Sequence, residues 1–517
     1  MSAVATNLWT IPLFVIIPII TAILLNLLYN KSRTIKVIAI ASSIVLFVLA
    51  LISPYGFQWF TGQPGVTPGG TYTFDASIFS YRLSLEYYFG GLQQILITIM
   101  SLLLVFVVFL SASSLRKNIG PYIALIFLLF MSSAIIIMVN DFYHLWIGVE
   151  MGSLLLAGVV AASGESISQK AALKYTFFSA LSGAGMAIAL AMILGVTGYS
   201  NITNAIQYIM SDNLSSLSGV LYIAFGFFVL SWIYAGGLAP IHPLKSDVYG
   251  SAFPHATVML QTQSKLMIVA MGLIILRLFG TLPFAREVML SVSVLTMIMG
   301  VTMALIQTDL RWTLAYLVVA HSGLVTLGIS LGTVQGITGG LFQAVNDIVY
   351  MSVLLICCEA VMYFGKGTSI KTVGGIAKRA PWLALAVVIG AFAASGVPPF
   401  NGFQSEIILI QASLSSGLPE VAAIVLMVSV TTFIALFKPI YNIFLKPDNS
   451  PIAMEGDAGA GIATMAMVQP TSPVPKSIYL FLAILIAIII VLGVYPQLAL
   501  GFVQDTAIKV VYFPWVP

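Results

Sequence analysis

The chain has 517 residues, of which 60% are hydrophobic and only 7% are charged, and its formal net charge is +4. A soluble protein of this length normally carries about a quarter charged residues. Apolar runs of about 20 residues recur along the chain and match the thickness of a bilayer's hydrocarbon core. The composition therefore excludes a soluble protein, and the small net charge gives no sign of nucleic-acid binding.

Several kinds of cofactor site are not expected. The only cysteines, Cys357 and Cys358, are adjacent inside an apolar run and lack the spacing of disulfide, zinc or iron–sulfur ligands. No GxGxxG or P-loop pattern predicts a nucleotide site. The sequence thus predicts no cofactor and no metal on this chain. The N-terminus lacks a basic region and a cleavage site, so the first apolar run is expected to be a retained span.

Fourteen membrane spans are predicted in an all-α polytopic fold. In chain order they are 8–28, 35–53, 91–112, 119–138, 141–162, 171–195, 218–238, 254–277, 284–306, 310–331, 336–362, 381–410, 419–444 and 477–502. Two long connections remain. Residues 54–90 are rich in Gly, Thr and aromatic residues and are expected to include a hairpin, whereas 446–476 are expected to be a flexible linker.

The basic residues orient these spans. If both termini lie outside, fourteen basic residues fall in inside loops and four fall outside, a strong positive-inside bias. The inside group is Lys31, Arg33, Lys36, Arg116, Lys117, Lys170, Lys245, Arg311, Lys366, Lys371, Lys378, Arg379, Lys446 and Lys476, and the outside group is Arg82, Arg277, Arg286 and Lys509.

Two similar stretches interrupt spans 7 and 12. "AGGLAPIH" (235–242) and "ASGVPPFN" (394–401) share the order Ala, small, Gly, aliphatic, Ala or Pro, Pro, apolar, polar. Because five spans separate them, they run in opposite directions, which is typical of an inverted-repeat transporter. The alternative is a pair of tight loops at span ends. The residues expected to break the helices are Gly237, Pro240, His242, Gly396, Pro398 and Pro399.

The predicted organisation follows from these breaks. The fold is expected to contain two inverted five-helix repeats. Spans 1–4 and the outside loop 54–90 occupy 1–140, the first repeat with spans 5–8 as its core occupies 141–277, the second with spans 9–13 occupies 284–444, and the linker with the last span occupies 445–517. Residues 141–277 and 310–444 are expected to superpose after a rotation of about 180° about an axis in the membrane plane.

Ionisable residues inside spans are costly and usually mark a pathway. Burial favours the neutral form of a lysine or a carboxyl group, so that such groups exchange protons readily. The predicted proton relay is formed by Glu150, Lys174, Lys265, His321, Asp347 and Glu406. The alternatives are snorkelling for Lys174, Lys438 and Glu359 near span ends, and a structural core histidine for His321.

Several motifs together resemble the antiporter-like membrane subunits of respiratory complex I, Mrp-type cation/proton antiporters and membrane-bound hydrogenases. The resemblance covers about residues 80–445. It rests on "NDFYHLWIGVEMGSLL" (140–155), "AALKYTFFSALSG" (171–183), "APIHPLKSDVYGSAFP" (239–254), "QTQSKLMIVAMGLIILRLF" (261–279), "ALIQTDLRWTLAYLVVAHSGLVTLGI" (304–329) and "GVPPFNGFQSEIILI" (396–410). It places Glu150 at the family's key glutamate, Lys265 at its central lysine and Glu406 at its terminal ionisable position.

The sequence also departs from this family. A lysine is usual five residues before the proline of span 7, where this chain has Ala235, so Glu150 lacks its expected partner and is expected to be largely protonated unless another base reaches it. In span 11 the usual histidine and lysine are replaced by Asp347 and Met351. The chain ends after span 14, so it is expected to lack the long lateral helix of the largest members.

The resemblance implies a proton-translocating subunit of a redox-driven complex in a prokaryotic plasma membrane, with other membrane-arm subunits as partners, no redox centre of its own, and protons or sodium ions as cargo. Glu150 and Lys265 would serve the first half, His321 and Asp347 the middle, and Glu406 the exit. The alternatives are an Mrp-type antiporter subunit and a membrane-arm scaffold that does not translocate. Ala235 and Met351 keep the scaffold alternative open.

Overall fold

The structure is a computed structural model that describes residues 10–28, 31–53, 70–78, 81–115, 118–211, 214–364, 367–447 and 474–513. The first part of the predicted outside loop, 54–69, and most of the predicted linker, 448–473, lie outside these residues.

Helices account for nearly all of the described chain. They are α1 (Leu13–Leu27), α2 (Ser32–Ile52), α3 (Gly91–Ser114), α4 (Ile119–Met138), α5 (Phe142–Ala161), α6 (Ser166–Thr197), α7 (Ile202–Met210), α8 (Leu214–Gly236), α9 (His242–Ser251), α10 (Pro254–Phe279), α11 (Ala285–Ile306), α12 (Leu310–Ser330), α13 (Val334–Met362), α14 (Ile376–Arg379), α15 (Pro381–Ala394), α16 (Asn401–Ser415), α17 (Pro419–Ile440), α18 (Lys476–Val494) and α19 (Gln497–Tyr512). A π-helical turn, Tyr441–Leu445, continues α17.

Twelve helices of the described residues are long and apolar enough to cross a membrane, and α1 and α15 are shorter apolar helices. The chain is therefore a multi-pass membrane protein, as its composition predicts. The count of fourteen spans stays a prediction.

The predicted last span is wrong in its extent. Residues 477–502 were expected to form one helix, but α18 ends at Val494 and α19 begins at Gln497, directly after Pro496. Proline has no backbone N–H and its ring clashes with the preceding turn, so the helix ends there.

The exception to the helical fold is an antiparallel hairpin. β1 (Gly70–Ile78) pairs with β2 (Tyr81–Phe89), with Gly70 opposite Phe89 and Ile78 opposite Tyr81. β2 is tied to the start of the first predicted repeat, because the Asn140 side chain donates to the Glu86 carboxylate at 3.1 Å. The hairpin expected within 54–90 is therefore present in its C-terminal part.

The two predicted repeats share one backbone pattern at corresponding positions. Asp141 caps α5 and forms an isolated bridge with Asn201, and Asp309 caps α12 and forms an isolated bridge with Ser369. Both caps use a side-chain oxygen to accept a backbone N–H of the first turn, which stabilises the helix start. This correspondence is what an internal repeat predicts. The superposition by rotation stays a prediction.

Both interruptions lie where the sequence places them. α8 ends at Gly236 and α9 begins at His242, while α15 ends at Ala394 and α16 begins at Asn401. Gly237 and Gly396 have φ values of +70° and +64°, a left-handed conformation that glycine adopts without a Cβ penalty. In each case the residue after this glycine donates its N–H back into the preceding helix, Leu238 to Ile233 and Val397 to Phe392.

The centre of the bundle is formed by α10, α12 and α13, in which nearly every residue is buried. α12 and α13 approach each other through Gly328 and Gly340, where a Cβ on Gly328 would meet the Gly340 backbone. Small residues at such a crossing let two membrane helices pack backbone to backbone. The three central helices thus form a tightly packed group.

We expect Gly328→Ala to lower the free energy of unfolding by about 1–3 kcal/mol, because the added methyl group overpacks a backbone contact. The measurement is thermal unfolding of the purified protein in detergent. Gly195→Ala is the matched control, since a Cβ there meets nothing within 4 Å in a regular part of α6. The control should be unchanged or more stable by up to about 1 kcal/mol. Equal stability of the two variants would contradict the close approach.

Candidate functional site

The centre of the candidate site is a buried group of three ionisable side chains from three helices. Lys265 Nζ lies 2.7 Å from Asp347 Oδ2, and His321 Nδ1 lies 2.9 Å from Asp347 Oδ1. Lys265 and Asp347 are both 0% exposed. A buried charge is tolerated when it is paired and hydrogen-bonded. Asp347 therefore holds a cation on one side and an imidazole on the other.

The remaining donors of Lys265 are used as well. Its ammonium donates to the Val318 carbonyl at 2.9 Å and to Ser322 Oγ at 2.7 Å, both on α12. Lys265, His321 and Asp347 each lie near the middle of a long helix, so the group sits about halfway through the bundle. The acid that replaces the expected histidine of span 11 is thus the counter-charge of the central lysine.

A chain of hydroxyl and amide groups continues from this centre toward the second break. His321 Nδ1 lies 3.3 Å from the Tyr350 hydroxyl, to which Gln343 Nε2 donates at 2.7 Å. Ser405 Oγ then donates to Gln343 Oε1 at 2.5 Å. Every one of these side chains is buried. The polar contacts therefore run from the central group into α16.

Glu406 lies beside this chain of contacts, close enough to act electrostatically on Tyr350. It follows Ser405 directly, is buried, and accepts a hydrogen bond from Ser429 of α17 at 2.5 Å. Its carboxyl group occupies the space where a side chain on Gly396 would lie. The glycine of the second break thus makes room for the last acid of the axis.

On the other side of the central group, polar contacts extend toward the first helix break through Lys245, which is not among the predicted relay residues. Lys245 Nζ donates to Ser264 Oγ at 2.8 Å, and the Tyr249 hydroxyl donates to the same oxygen at 2.6 Å. Ser264 immediately precedes Lys265. The Lys245 ammonium also lies 4.9 Å from the centroid of the Tyr175 ring, a cation–π distance.

The prediction that Lys245 is a basic residue of an inside loop is wrong. The residue lies on α9 and is 1% exposed. Its Cβ and Cγ pack where a Cβ on Gly237 would lie, so the side chain reaches back across the first break. The available signal was its position three residues after His242, which places it on the first turn of the helix that resumes after the break. The Ala235 position is buried and carries no cation.

Glu150 lies near Tyr175, whose ring also faces the Lys245 ammonium. It is half-buried on α5, and its carboxyl group lies against Gly183 of α6. Tyr234 and Tyr175 stack between α8 and α6 with ring centroids 5.6 Å apart. No ion pair joins Glu150 to any residue within the described ranges, so the expected lysine partner is absent here. We call the residues from Glu150 through Lys245, Lys265, Asp347 and His321 to Glu406 the polar axis.

Lys174 lies outside the polar axis. Its side chain is 51% exposed on α6 and pairs with Asp247 at 2.9 Å. Among the described residues no group of three or more His, Cys, Asp or Glu side chains has the arrangement of a metal site. Of the six predicted relay residues, the structure therefore brings Lys265, Asp347 and His321 into direct contact, places Glu150 near Tyr175 and Glu406 near Tyr350, and leaves Lys174 on the surface.

Residues 139–435 match the sequence profile of the NADH:quinone oxidoreductase/Mrp antiporter transmembrane family. The chain belongs to this family. The matched segment contains both helix breaks and the whole polar axis from Glu150 to Glu406. The family resemblance stated from the motifs is confirmed, and with it the antiporter-like polytopic fold.

Similar proteins agree with this membership. An uncharacterised protein of Methanocaldococcus jannaschii is 32% identical over 500 residues, which are 96% of this chain and 97% of that one. NADH-quinone oxidoreductase subunit N of Ruthia magnifica is 29% identical over 312 residues, 59% of this chain and 64% of that one. A chain of the Mrp complex from Dietzia sp. DQ12-45-1b has the same fold, with a TM-score of 0.83, 21% identity and 98% coverage of both chains.

Proposed function

We propose that this chain relays protons along the polar axis as a subunit of a redox-driven membrane complex. The observation that carries the proposal is a set of buried polar contacts. Lys245 donates to Ser264, the residue before Lys265, and the contacts of Lys265, Asp347 and His321 continue through Tyr350 and Gln343 to Ser405, the residue before Glu406. A non-translocating scaffold has no need of such a set, because each buried polar group costs free energy unless it is partnered.

The chemistry of each group suits proton transfer. A carboxyl group, an amine or an imidazole accepts a proton at one lone pair and releases it from another site, and hydroxyl groups pass a proton between neighbours. Asp347 is the switch of this relay, because a proton on its carboxylate removes the counter-charge that holds Lys265 as a cation. Lys265 then loses its proton more easily to the next acceptor.

The energy would come from other subunits. This chain would hold no redox centre, and an electron-transfer reaction elsewhere in the complex would drive the relay. Relatives that carry the name NADH-quinone oxidoreductase subunit N support this reading. The competing reading is an Mrp-type cation/proton antiporter subunit, and similarity to a chain of an Mrp complex supports it. Isolation of the complex through a tag on this chain separates the two: redox subunits that co-purify support the proposal, and their absence from an otherwise intact assembly contradicts it.

The surface of α6 supports a neighbouring membrane subunit. The Lys174–Asp247 ion pair is open to the surroundings, beside the exposed apolar side chains of Leu173 and Phe177. An ion pair open to hydrocarbon is unfavourable, since charged groups inside membranes face protein or water. We propose that another membrane-arm subunit covers this face of α6.

Glu150→Gln and Glu406→Gln should each abolish redox-driven proton uptake, because an amide cannot take up and release the proton that a carboxyl group carries. The measurement is acidification or alkalinisation reported by a pH-sensitive dye in vesicles that contain the intact complex. Glu420→Gln, an exposed glutamate at the start of α17, is the control and should leave uptake unchanged. Wild-type uptake by Glu150→Gln with normal assembly would show that the relay does not pass through this carboxyl group.

A further inference from the structure

A second buried ionisable group lies away from the polar axis. His255 Nδ1 of α10 is 3.2 Å from Glu359 Oε1 of α13, and both side chains are buried. The two ring nitrogens of His255 make no aligned hydrogen bond with a described residue, and neither does the Oε2 atom of Glu359. Buried polar atoms without a protein partner are normally satisfied by water. This His255–Glu359 pair is therefore an ionisable site that the packing alone does not explain.

Aromatic side chains enclose the pair. The Phe253 ring stacks on His255 with centroids 5.5 Å apart, and the Tyr122 ring meets His255 edge-on at 6.2 Å. The Tyr363 hydroxyl lies 3.3 Å from Ser114 Oγ on α3. Glu359 is close enough to act electrostatically on Tyr122, Tyr363 and Cys358, and the other ionisable groups that act on Cys358 are Asp309, Arg311 and Cys357.

The pair lies close to one end of the bundle. His255 is the second residue of α10, Glu359 lies one turn before the end of α13, and α3 ends at Ser114. The loops at this end hold most of the basic residues, so the charge distribution assigns it to the inside of the cell. A proton from the inner water would therefore meet this pair one helical turn into the protein.

Polar groups of α10 and α13 lie between the pair and the polar axis along these two helices. Thr262 follows His255 by seven residues and thus shares its face of α10. Gln261 donates to the Ile348 carbonyl at 3.3 Å, and Ser352 donates to the same oxygen at 2.5 Å. Ile348 follows Asp347 directly, and the ten residues from His255 to Lys265 span about 15 Å. We call the region that Thr262, Gln261 and Ser352 occupy the seam between α10 and α13, and the Lys265–Asp347 ion pair lies at its far end.

From this arrangement we propose that the His255–Glu359 pair is the proton-loading site of the chain, from which protons reach Asp347 along the seam between α10 and α13. The inference rests on the proposed function. One proton leaves a water or buffer molecule at the inner end and binds the pair, whose charge rises by one. A proton is then released from the pair and reaches the Asp347 carboxylate through hydroxyl groups such as those of Thr262 and Ser352 and intervening water, and the pair returns to its starting charge.

The test uses inverted vesicles with the tagged, intact complex, in which the inner end faces the medium. Glu359→Gln and His255→Asn should each slow proton uptake from the medium about a hundredfold, the lower range for a positioned proton-transfer group. Glu359→Asp should recover much of the uptake. Cys357→Ala, two residues from Glu359 and equally buried, is the control and should take up protons like the wild type.

Two comparisons decide the outcome. If Asp347→Asn stops uptake but Glu359→Gln does not slow it, the loading site is wrong and the proposed function stands. If neither variant slows uptake, the proposed function fails as well. A merely structural role is distinguished by infrared titration: the carboxyl band lost in Glu359→Gln should respond to the pH of the medium and should shift in His255→Asn. A Glu359 band that ignores the medium overturns the proposal.

Discussion

Replacement of Asp347 by asparagine should abolish redox-driven proton uptake and lower the free energy of unfolding by about 3–5 kcal/mol, the usual cost of breaking a buried ion pair. The carboxylate lies between Lys265 at 2.7 Å and His321 at 2.9 Å, so its loss leaves a buried ammonium without a counter-charge. The asparagine side chain cannot carry the proton either. Dye-reported uptake and thermal unfolding of the same preparation measure the two effects.

A double variant separates stability from transport. Lys265→Met/Asp347→Leu removes both charges and fills similar volume, so it should recover most of the lost stability while uptake remains absent. A stable Asp347→Asn complex that translocates protons at the wild-type rate would show that the ion pair is not part of the pathway.

Lys245→Met should also abolish proton uptake, but it should raise the free energy of unfolding by about 1–2 kcal/mol. The reason is that no described carboxylate pairs with Lys245, whose ammonium has Ser264 Oγ and the Tyr175 ring as its contacts. A buried charge with incomplete compensation is costly, and a hydrophobic side chain of similar volume removes that cost. Loss of function with a gain in stability is typical of a residue kept for activity.

The control for this variant is Lys170→Met, which removes an exposed lysine from α6. It should change neither uptake nor stability. A Lys245→Met protein that unfolds more easily, and whose uptake falls only in proportion to the folded fraction, would make the lysine a structural residue.

Much of the helical fold could be predicted, because the sequence patterns that indicate membrane helices and their breaks are local. Runs of about 20 apolar residues mark membrane helices, and the two Gly/Pro stretches mark the breaks at Gly237 and Gly396, since irregular backbone at membrane depth needs protein around it. Glu150 and Glu406 could be predicted as site residues because an ionisable group inside a membrane span is costly and usually marks a pathway. By contrast, the break at Pro496 was missed because the residues around it remain apolar.

The pairings could not be predicted, because they depend on which helices meet. The sequence predicts Lys245 as a loop cation, because it does not show that this side chain packs against Gly237 across the break. The sequence predicts Lys174 as a relay residue, because its position in a span does not reveal that it faces outward and pairs with Asp247. His255 was overlooked because its partner, Glu359, lies more than a hundred residues away and was interpreted as a span-end residue.

The backbone contact between Gly328 and Gly340 has a consequence for motion. It holds α12 and α13 tightly together, so the spacing between His321 and Asp347 is fixed. Lys245 on α9 and Glu406 on α16, by contrast, each belong to a short helix that follows a helix break. Hinge motion concentrates at such element ends. In the proposed relay, these two short helices would therefore serve as adjustable gates on either side of a rigid middle. If the gates open in turn and never together, no continuous leak discharges the gradient across the membrane, and the order of opening sets the direction of transport.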